Sequence, residues 1–295
     1  PEVGVPRGRV NIWNGVDFST MLGTTLKPFT WIDGAPAQAG DKKACITVDC
    51  PTPHEYVLDA MGLCIKADIL SNASFPEYTR HFISQALLAY EHWMGAQFVQ
   101  KVKANLTGTN HVTLVDQGST SLTLDLIGLV IEAERQKYRL GRGQSLEVIA
   151  PAWLQANIRS DLARRNGVDM LSVTDAQISQ FFAIRGASVQ FVYGLSDLTV
   201  ATSDPAAYPA TADLLIYPSG TFVKGTLGVI NLDAVYDSTG LAENTYTGLF
   251  FEEGAELIRR CFGGALVTVP ICGSGRTGAA DLINCAGAAV APKAP

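Results

Sequence analysis

Residues 74–106, SFPEYTRHFISQALLAYEHWMGAQFVQKVKANL, constrain this chain more than any other stretch. Apolar residues recur at Ile83, Leu87, Tyr90, Met94, Phe98 and Val102, in steps of four and three. That spacing keeps them on one face of a 3.6-residue period and predicts a long amphipathic helix. Ser74 is placed to cap it, with Glu77 three residues on as the partner of a capping box. Pro76 fits the first turn, where a missing N–H is harmless. Gly108 marks the end. At 1.5 Å per residue the rod is roughly 45 Å long, long enough to serve as a spine for the rest of the chain.

Before this helix the sequence is extended. Arg9 to Trp13 reads as a short strand, and turn signals follow at Asp33-Gly34 and Gly40-Asp41. Ala44 to Asp49 reads as a strand broken by Pro51-Thr52-Pro53, and Tyr56 to Leu70 as a second extended run. Such ribbons are marginal in water alone and must rest on something else.

After it the pattern is a compact α/β body. His111 to Gly118 is a short strand or loop. Ser121 to Leu140 is a helix, with Leu122, Leu126, Leu129 and Val130 on one face and Arg135, Lys137 and Arg139 near its C-terminus, complementing the helix dipole. Leu146 to Ala150 is a buried strand. Pro151 opens a third helix that turns Trp153, Leu154, Ile158 and Leu162 inward. A capping box, Thr174 to Gln177, opens a fourth, closed by Gly186. Ser188 to Tyr193 and Asp213 to Tyr217 are strands, separated by a polar surface loop. Pro218-Ser219-Gly220 is a tight turn. Thr221 to Val223, Leu227 to Val235 and Thr247 to Glu252 are sheet candidates, Glu253 to Arg260 a helix candidate, and Ala265 to Cys272 the last strand. The overall class is α+β.

Composition narrows the function. The chain of 295 residues is 47% hydrophobic and 17% charged, with a net charge of −6. Low surface charge suits a surface covered by partners. The acidic balance, without a basic cluster, disfavours specific nucleic-acid binding. No apolar run reaches the roughly 18 residues of a membrane span, and no signal peptide is visible. The chain begins Pro1-Glu2-Val3, which fits removal of an initiator Met or a cleaved form. Six cysteines, Cys45, Cys50, Cys64, Cys261, Cys272 and Cys285, show no C-x-x-C spacing. They read as small buried hydrophobes in a reducing compartment, with disulfides as the alternative.

No motif assembles a reactive site. Gly273-Ser274-Gly275-Arg276-Thr277-Gly278 matches G-x-G-x-x-G, but a dinucleotide site needs a full βαβ unit and an acidic residue about 20 positions on. Only 17 residues follow Gly278, so a Gly-rich flexible tail is the better account. His54, His81, His92 and His111 lack a carboxylate pattern that would complete a metal site, and read as solvated or interface residues. Glu252, Glu253 and Glu256 lie beside Arg259 and Arg260 and read as a salt-bridge network. Asn72 and Asn105 head glycosylation sequons that mean nothing without secretion. No catalytic, cofactor-binding or metal-binding residue is assigned, and the chain reads as an assembly subunit rather than an enzyme.

Three segments sharpen this. Lys43-Ala44-Cys45-Ile46-Thr47-Val48-Asp49-Cys50-Pro51, continuing through Val57 to Cys64, resembles the K-x-C-x-x-V-x-C-P run of tailed-bacteriophage major capsid proteins with the HK97-type fold, most of all those of actinobacterial phages. Pro151-Ala152-Trp153 with Arg159-Ser160-Asp161-Leu162-Ala163-Arg164 resembles the family's P-A-W…R-x-D-L-A-R helix. Tyr217 to Phe222, Leu227 to Val229 and Tyr236 to Thr239 resemble its P-x-G-T-F…L-G-V…D-S-T sheet. The resemblance spans roughly residues 40–272, in the right order. It implies an N-terminal arm over 1–7 and an extended arm with an E-loop β-hairpin over 8–70. It implies a peripheral domain with the spine helix over 71–140, an axial domain over 141–212, a sheet returning to both over 213–272, and a flexible tail over 273–295. The subunits would form hexamers and pentamers of an icosahedral shell around double-stranded DNA, touched only non-specifically, with scaffold, portal and decoration proteins as further partners. The resemblance places the chain in the virion, after assembly in the host bacterial cytoplasm. No scaffolding segment precedes the arm, so scaffold would be cleaved off or be a separate protein. Lys42 and Lys43, near the ribbon's turn, are conceivable donors for the isopeptide cross-link that some members form, but no acceptor or catalytic acid is identifiable. An encapsulin-like compartment of the same fold is the alternative. A soluble nucleotide-binding enzyme would rest on the G-x-G-x-x-G match alone.

Overall fold

The computed structural model describes residues 2–5, 8–13, 52–108, 111–113, 122–196, 209, 211–232, 234–260 and 262–271. Strands β1 (Glu2–Gly4), β2 (Arg9–Ile12), β3 (His54–Val57) and β4 (Asp59–Asp68) lead into a short helix, α1 (Ile69–Ser74), and the long helix α2 (Pro76–Leu106). Strand β5 (His111–Thr113), helix α3 (Leu122–Lys137), β6 (Leu146–Pro151), α4 (Leu154–Asn166), a single 3-10 turn, α5 (Asp175–Ala183) and β7 (Ala187–Val192) follow. Then come β8 (Thr211–Pro218), β9 (Phe222–Leu232), α6 (Ser238–Ala242), β10 (Thr245–Arg259) and β11 (Ala265–Pro270). The strands form a four-stranded sheet ordered β1-β9-β10-β4, a five-stranded sheet ordered β5-β11-β8-β6-β7, and the β2-β3 ribbon.

The five-stranded sheet is covered on both faces, which is why Leu214–Tyr217 of β8 are consecutively apolar rather than alternating. Leu214 and Ile216, with Val148, Ala150, Val267 and Val269, pack under α3, α4 and α5. Leu215 and Tyr217, with Ile149 and Leu266, point the other way onto Val99, Val102 and Leu106 of α2. Phe222 and Leu257 join that second cluster, so the C-terminal half of α2 ties the two sheets together. The base of the β2-β3 ribbon rests on the chain's own four-stranded sheet. Val10, Ile12, Tyr56 and Leu58 pack on Val223 and Ile258, and the Tyr56 hydroxyl donates to the Arg259 carbonyl at 3.1 Å.

The long helix forms as its periodicity predicts, but its start differs. Ser74 is the last residue of α1, whose own cap is Asp68, accepting from Ser71 N. Phe75 N–H closes that turn on the Ser71 carbonyl. Phe75 then caps α2 without a side-chain bond, with Pro76 at the first position. The chain turns just beyond the helix at Gly108, φ 83°. Of the expected face, Met94 and Val102 are buried, Ile83, Tyr90 and Phe98 half-buried, and Leu87 exposed.

Three other expectations are corrected. Residues 253–259 are strand, not helix. β10 is hydrogen-bonded on both sides, with Arg259 opposite Phe222 of β9 and Ala255 opposite Asp59 of β4. That two-sided pairing overrides the local helical preference of the glutamates. On α3 the buried stripe is Leu124, Ile127 and Ile131 with Leu126 and Val130, whereas Leu129 is exposed; the continuous apolar stretch Leu126–Ile131 leaves the helix phase undetermined in sequence. Pro151 ends β6 rather than opening the third helix, because Ala152 N–H still bonds to the Val192 carbonyl of the neighbouring strand. The Thr174–Gln177 capping box forms as predicted. Arg135 does more than face the helix dipole: its guanidinium donates to the carbonyls of Gly141, Gln144, Arg185 and Gly186, fixing the entries to β6 and β7. The strand at 44–49, Lys42 and Lys43, and the segment 273–295 with its G-x-G-x-x-G lie outside the described residues.

Candidate assembly surface

The residues singled out as chemistry do not converge. Among the described residues no group of three or more His, Cys, Asp or Glu could hold a metal ion. His54, on β3, and His81 and His92, on α2, are exposed and far apart in the fold. Cys64 is a free, exposed thiol on β4, which corrects the buried reading for that residue. The other five cysteines lie outside the described residues.

The expected network of Glu252, Glu253 and Glu256 with Arg259 and Arg260 is corrected: among the described residues only Glu256 of the three forms an ion pair, and it does so with Lys101 of α2. Lys101 Nζ bonds to Glu256 Oε2 at 2.6 Å and to Asp59 Oδ2 at 2.7 Å. The hydrogen bond from Lys101 is the main reason that Asp59 ionises below the usual carboxylate range. Burial alone would lower Lys101, yet its two carboxylate partners outweigh it and hold the ammonium above its ordinary value. Eleven residues earlier, on the same helical face, the Tyr90 hydroxyl donates to Glu253 Oε1 at 3.0 Å. Burial and that carboxylate push the phenol up to about 12, so it stays a donor at neutral pH. Tyr90 also meets Phe251 edge-on at a centroid distance of 4.7 Å. These contacts fasten α2 across β10 and β4. A partly open groove of about 700 Å³ remains beside them, lined by Leu87, Tyr90, Ile230, Leu249 and Phe251 with Glu252 on its rim.

A second polar node gathers five segments. Asp213 on β8 accepts from Thr268 Oγ1 of β11 at 2.7 Å and from Ser196 Oγ at 3.3 Å. It pairs with Lys103 of α2 at 2.8 Å. Thr268 also meets His111 Nε2 of β5 at 2.8 Å. The single Thr268 hydrogen is given to Asp213, so His111 Nε2 is the donor in that contact. Burial acts to raise Asp213, but Lys103 and Thr268 outweigh it and the carboxyl ionises below its ordinary range. The node therefore joins β8, β11, β5, α2 and the segment after β7 at one buried-to-exposed junction.

What the molecule leaves open is apolar surface. Leu70, Phe75, Tyr78, Phe82 and Trp93 are all exposed along α1 and the N-terminal half of α2. The sequence reading found the helix but missed this outward stripe, because the sheet-facing residues supplied a satisfactory period by themselves. The spacing of Tyr78, Phe82, Ala89 and Trp93 was the available signal.

No protein-family model matches the sequence, and no curated protein matches it. Solved structures do. A protein of Microbacterium phage Oxtober96 superposes with a TM-score of 0.52 at 10% identity, over 90% of this chain and 89% of that one. The holo-SrpI encapsulin complex of Synechococcus elongatus PCC 7942 gives 0.50 at 11% identity, over 90% and 83%. A virus-like particle from Pyrococcus furiosus gives 0.50 at 8% identity, over 91% and 89%. These likenesses establish a fold shared along nearly the whole chain.

Proposed function

We propose that this chain, an α+β protein with the HK97-type fold, is a tailed-bacteriophage major capsid protein that assembles into the hexamers and pentamers of an icosahedral shell. The observation that carries this is the fold shared over about nine-tenths of the chain with a phage protein and with a virus-like particle. The three capsid-like sequence segments add to it. So does the exposed aromatic stripe on α2, which a solitary subunit would leave in water.

In this reading residues 1–7 are the N-terminal arm and 8–70 the extended arm with the E-loop. Residues 71–140 are the peripheral domain with α2 as its spine, 141–212 the axial domain, 213–272 a segment serving both, and 273–295 the tail. The division of 213–272 is supported by its strands: β9 and β10 join the four-stranded sheet, β8 and β11 the five-stranded one. The subunit is structural, not enzymatic. Its net charge of −6 weakens non-specific adhesion to packaged DNA. Scaffold, portal and decoration proteins are the further partners, and the virion, assembled in the host cytoplasm, is its location.

The encapsulin likeness favours a second reading, a protein-filled cellular compartment. Electron microscopy with sedimentation of the purified chain tests shell formation. Closed polyhedral particles are expected, and a monomer or dimer at every salt concentration would refute both shell readings. Particles from the native source separate the two, since the phage reading expects nuclease-protected DNA and the compartment reading expects protein cargo.

A further inference from the structure

The C-terminal end of α3 meets the turn between β10 and β11. There the Tyr138 ring stands edge-on to Phe262 at a centroid distance of 5.6 Å. Lys137 Nζ lies over the Tyr138 ring, 5.1 Å from its centroid. Arg259, the last residue of β10, reaches the same place, and its Nε donates to the Phe262 carbonyl at 3.3 Å. Gly263 is buried beside them. A Cβ on Gly263 would stand 2.8 Å from Tyr138 Oη and 3.1 Å from Arg259 Nη2, so the bare glycine is what lets these two groups converge.

Two donors are left over at this point. Tyr138 is 8% exposed, yet its hydroxyl makes no hydrogen bond among the described residues, and neither does either terminal nitrogen of Arg259. A buried donor without an acceptor costs free energy. Tyr138 Oη and Arg259 Nη2 lie within about 6 Å of each other, a gap that one oxygen atom bridges with two hydrogen bonds of about 3 Å. What the recess lacks is an acceptor, and the charge around it selects an anionic one. Glu134, a turn back on α3, has Lys137 at 3.8 Å, and that pair leaves the Arg259 charge uncompensated. Arg139, Arg142 and Arg260, on the loop after α3 and the turn after β10, are exposed and form no ion pair among the described residues. The negative pole of α3 is quenched, because the carbonyls of Glu134, Arg135 and Gln136 accept from the N–H groups of Tyr138, Leu140 and Arg139.

We propose that Tyr138 Oη and the Arg259 guanidinium, flanked by Lys137, form a binding site for a phosphate group. The inference does not rest on the shell-subunit reading. Phosphate suits these donors better than carboxylate does. They arrive from separate elements and from different directions, which matches oxygens set tetrahedrally rather than two in one plane. The side-on fork that Arg offers a carboxylate needs its Nε, which the Phe262 carbonyl already occupies. A free phosphate ion and a phosphodiester of nucleic acid present the same chemistry to the site.

The test titrates inorganic phosphate into the full-length chain by isothermal calorimetry at fixed ionic strength, comparing the parent with Tyr138→Phe and Arg259→Gln. Saturable binding by the parent is expected, weakened about tenfold in either variant. Tyr138→Phe keeps the ring against Phe262, so its far-UV circular dichroism and thermal midpoint are expected to match the parent, and it decides the matter alone if Arg259→Gln does not fold. Fluorescence anisotropy with a short labelled single-stranded DNA separates the sources. Binding that Tyr138→Phe weakens assigns the phosphodiester. An oligonucleotide that does not bind, or binds the parent and Tyr138→Phe alike, assigns the free ion. No saturable phosphate binding by the parent, parental phosphate affinity in Tyr138→Phe, or acetate that displaces phosphate at equal concentration would overturn the proposal, and none of these outcomes bears on whether the chain forms particles.

Discussion

Asp213 is where a single substitution should report most about how this chain is held together. It accepts hydrogen bonds from Thr268 and Ser196 and pairs with Lys103, so it joins β8, β11, the segment after β7 and the end of α2. A hydrogen bond to a charged acceptor contributes about 1.5 kcal/mol at the lower end, which suits the short Thr268 contact. The longer Ser196 bond adds about 0.5 kcal/mol, and the partly exposed ion pair about 1 kcal/mol. Asp213→Ala should therefore destabilise the folded chain by about 3 kcal/mol. Asp213→Asn keeps an acceptor for Thr268 but loses the pair, for about 1.5 kcal/mol. Urea unfolding of the unassembled chain gives both values. The cycle with Lys103→Ala isolates the pair as a coupling of about 1 kcal/mol. The pH dependence follows from sign. The folded carboxyl ionises below its unfolded value, so its contribution is full above about pH 4 and is lost as pH falls through the folded pKa. A loss below about 0.5 kcal/mol in Asp213→Ala, or a zero coupling with Lys103, would refute the reasoning.

Two further outcomes are expected. Glu134 is buried on α3, its Oε2 has no hydrogen-bond partner, and Lys137 stands 3.8 Å from Oε1. Burial raises its pKa more than Lys137 lowers it, so its own contribution to stability is most favourable below about pH 4.3 and is lost as pH rises through the folded pKa; Glu134→Gln should stabilise by about 1 kcal/mol at pH 7 and remove that component of the pH dependence, as measured by urea midpoints across pH. Gly194→Ala places a methyl 2.6 Å from Ala96 Cβ at a residue with φ 86°; the overpacking and the left-handed backbone together should cost about 3 kcal/mol, read as a lowered thermal midpoint of the unassembled chain.

Much of the fold was legible locally. The α2 period runs over twenty residues, the Thr174–Gln177 box over four and the strand at 213–217 over five, and each produced the element it predicted. The candidate surface was legible only in part. The sheet-facing residues of α2 announced themselves by spacing. The outward aromatics looked like ordinary scatter until the packing showed which side the sheet occupied. Glu253 to Arg260 failed for the converse reason: its carboxylates suit a helix locally, and only pairing by β9 and β4 holds it extended.

The sequence by itself determined the elements that carry their own period or cap, and the capsid-like segments that pointed to a shell subunit. Only the tertiary structure decided which residues became partners. Glu256 met Lys101 rather than its neighbouring arginines, and Asp213 gathered Lys103, Ser196 and Thr268 from distant segments. Periodicity is a property of neighbours along the chain, set by backbone geometry within a few turns. Partnership depends on strand order and on which face of a helix the sheet takes, and those are fixed only when the whole chain closes on its core.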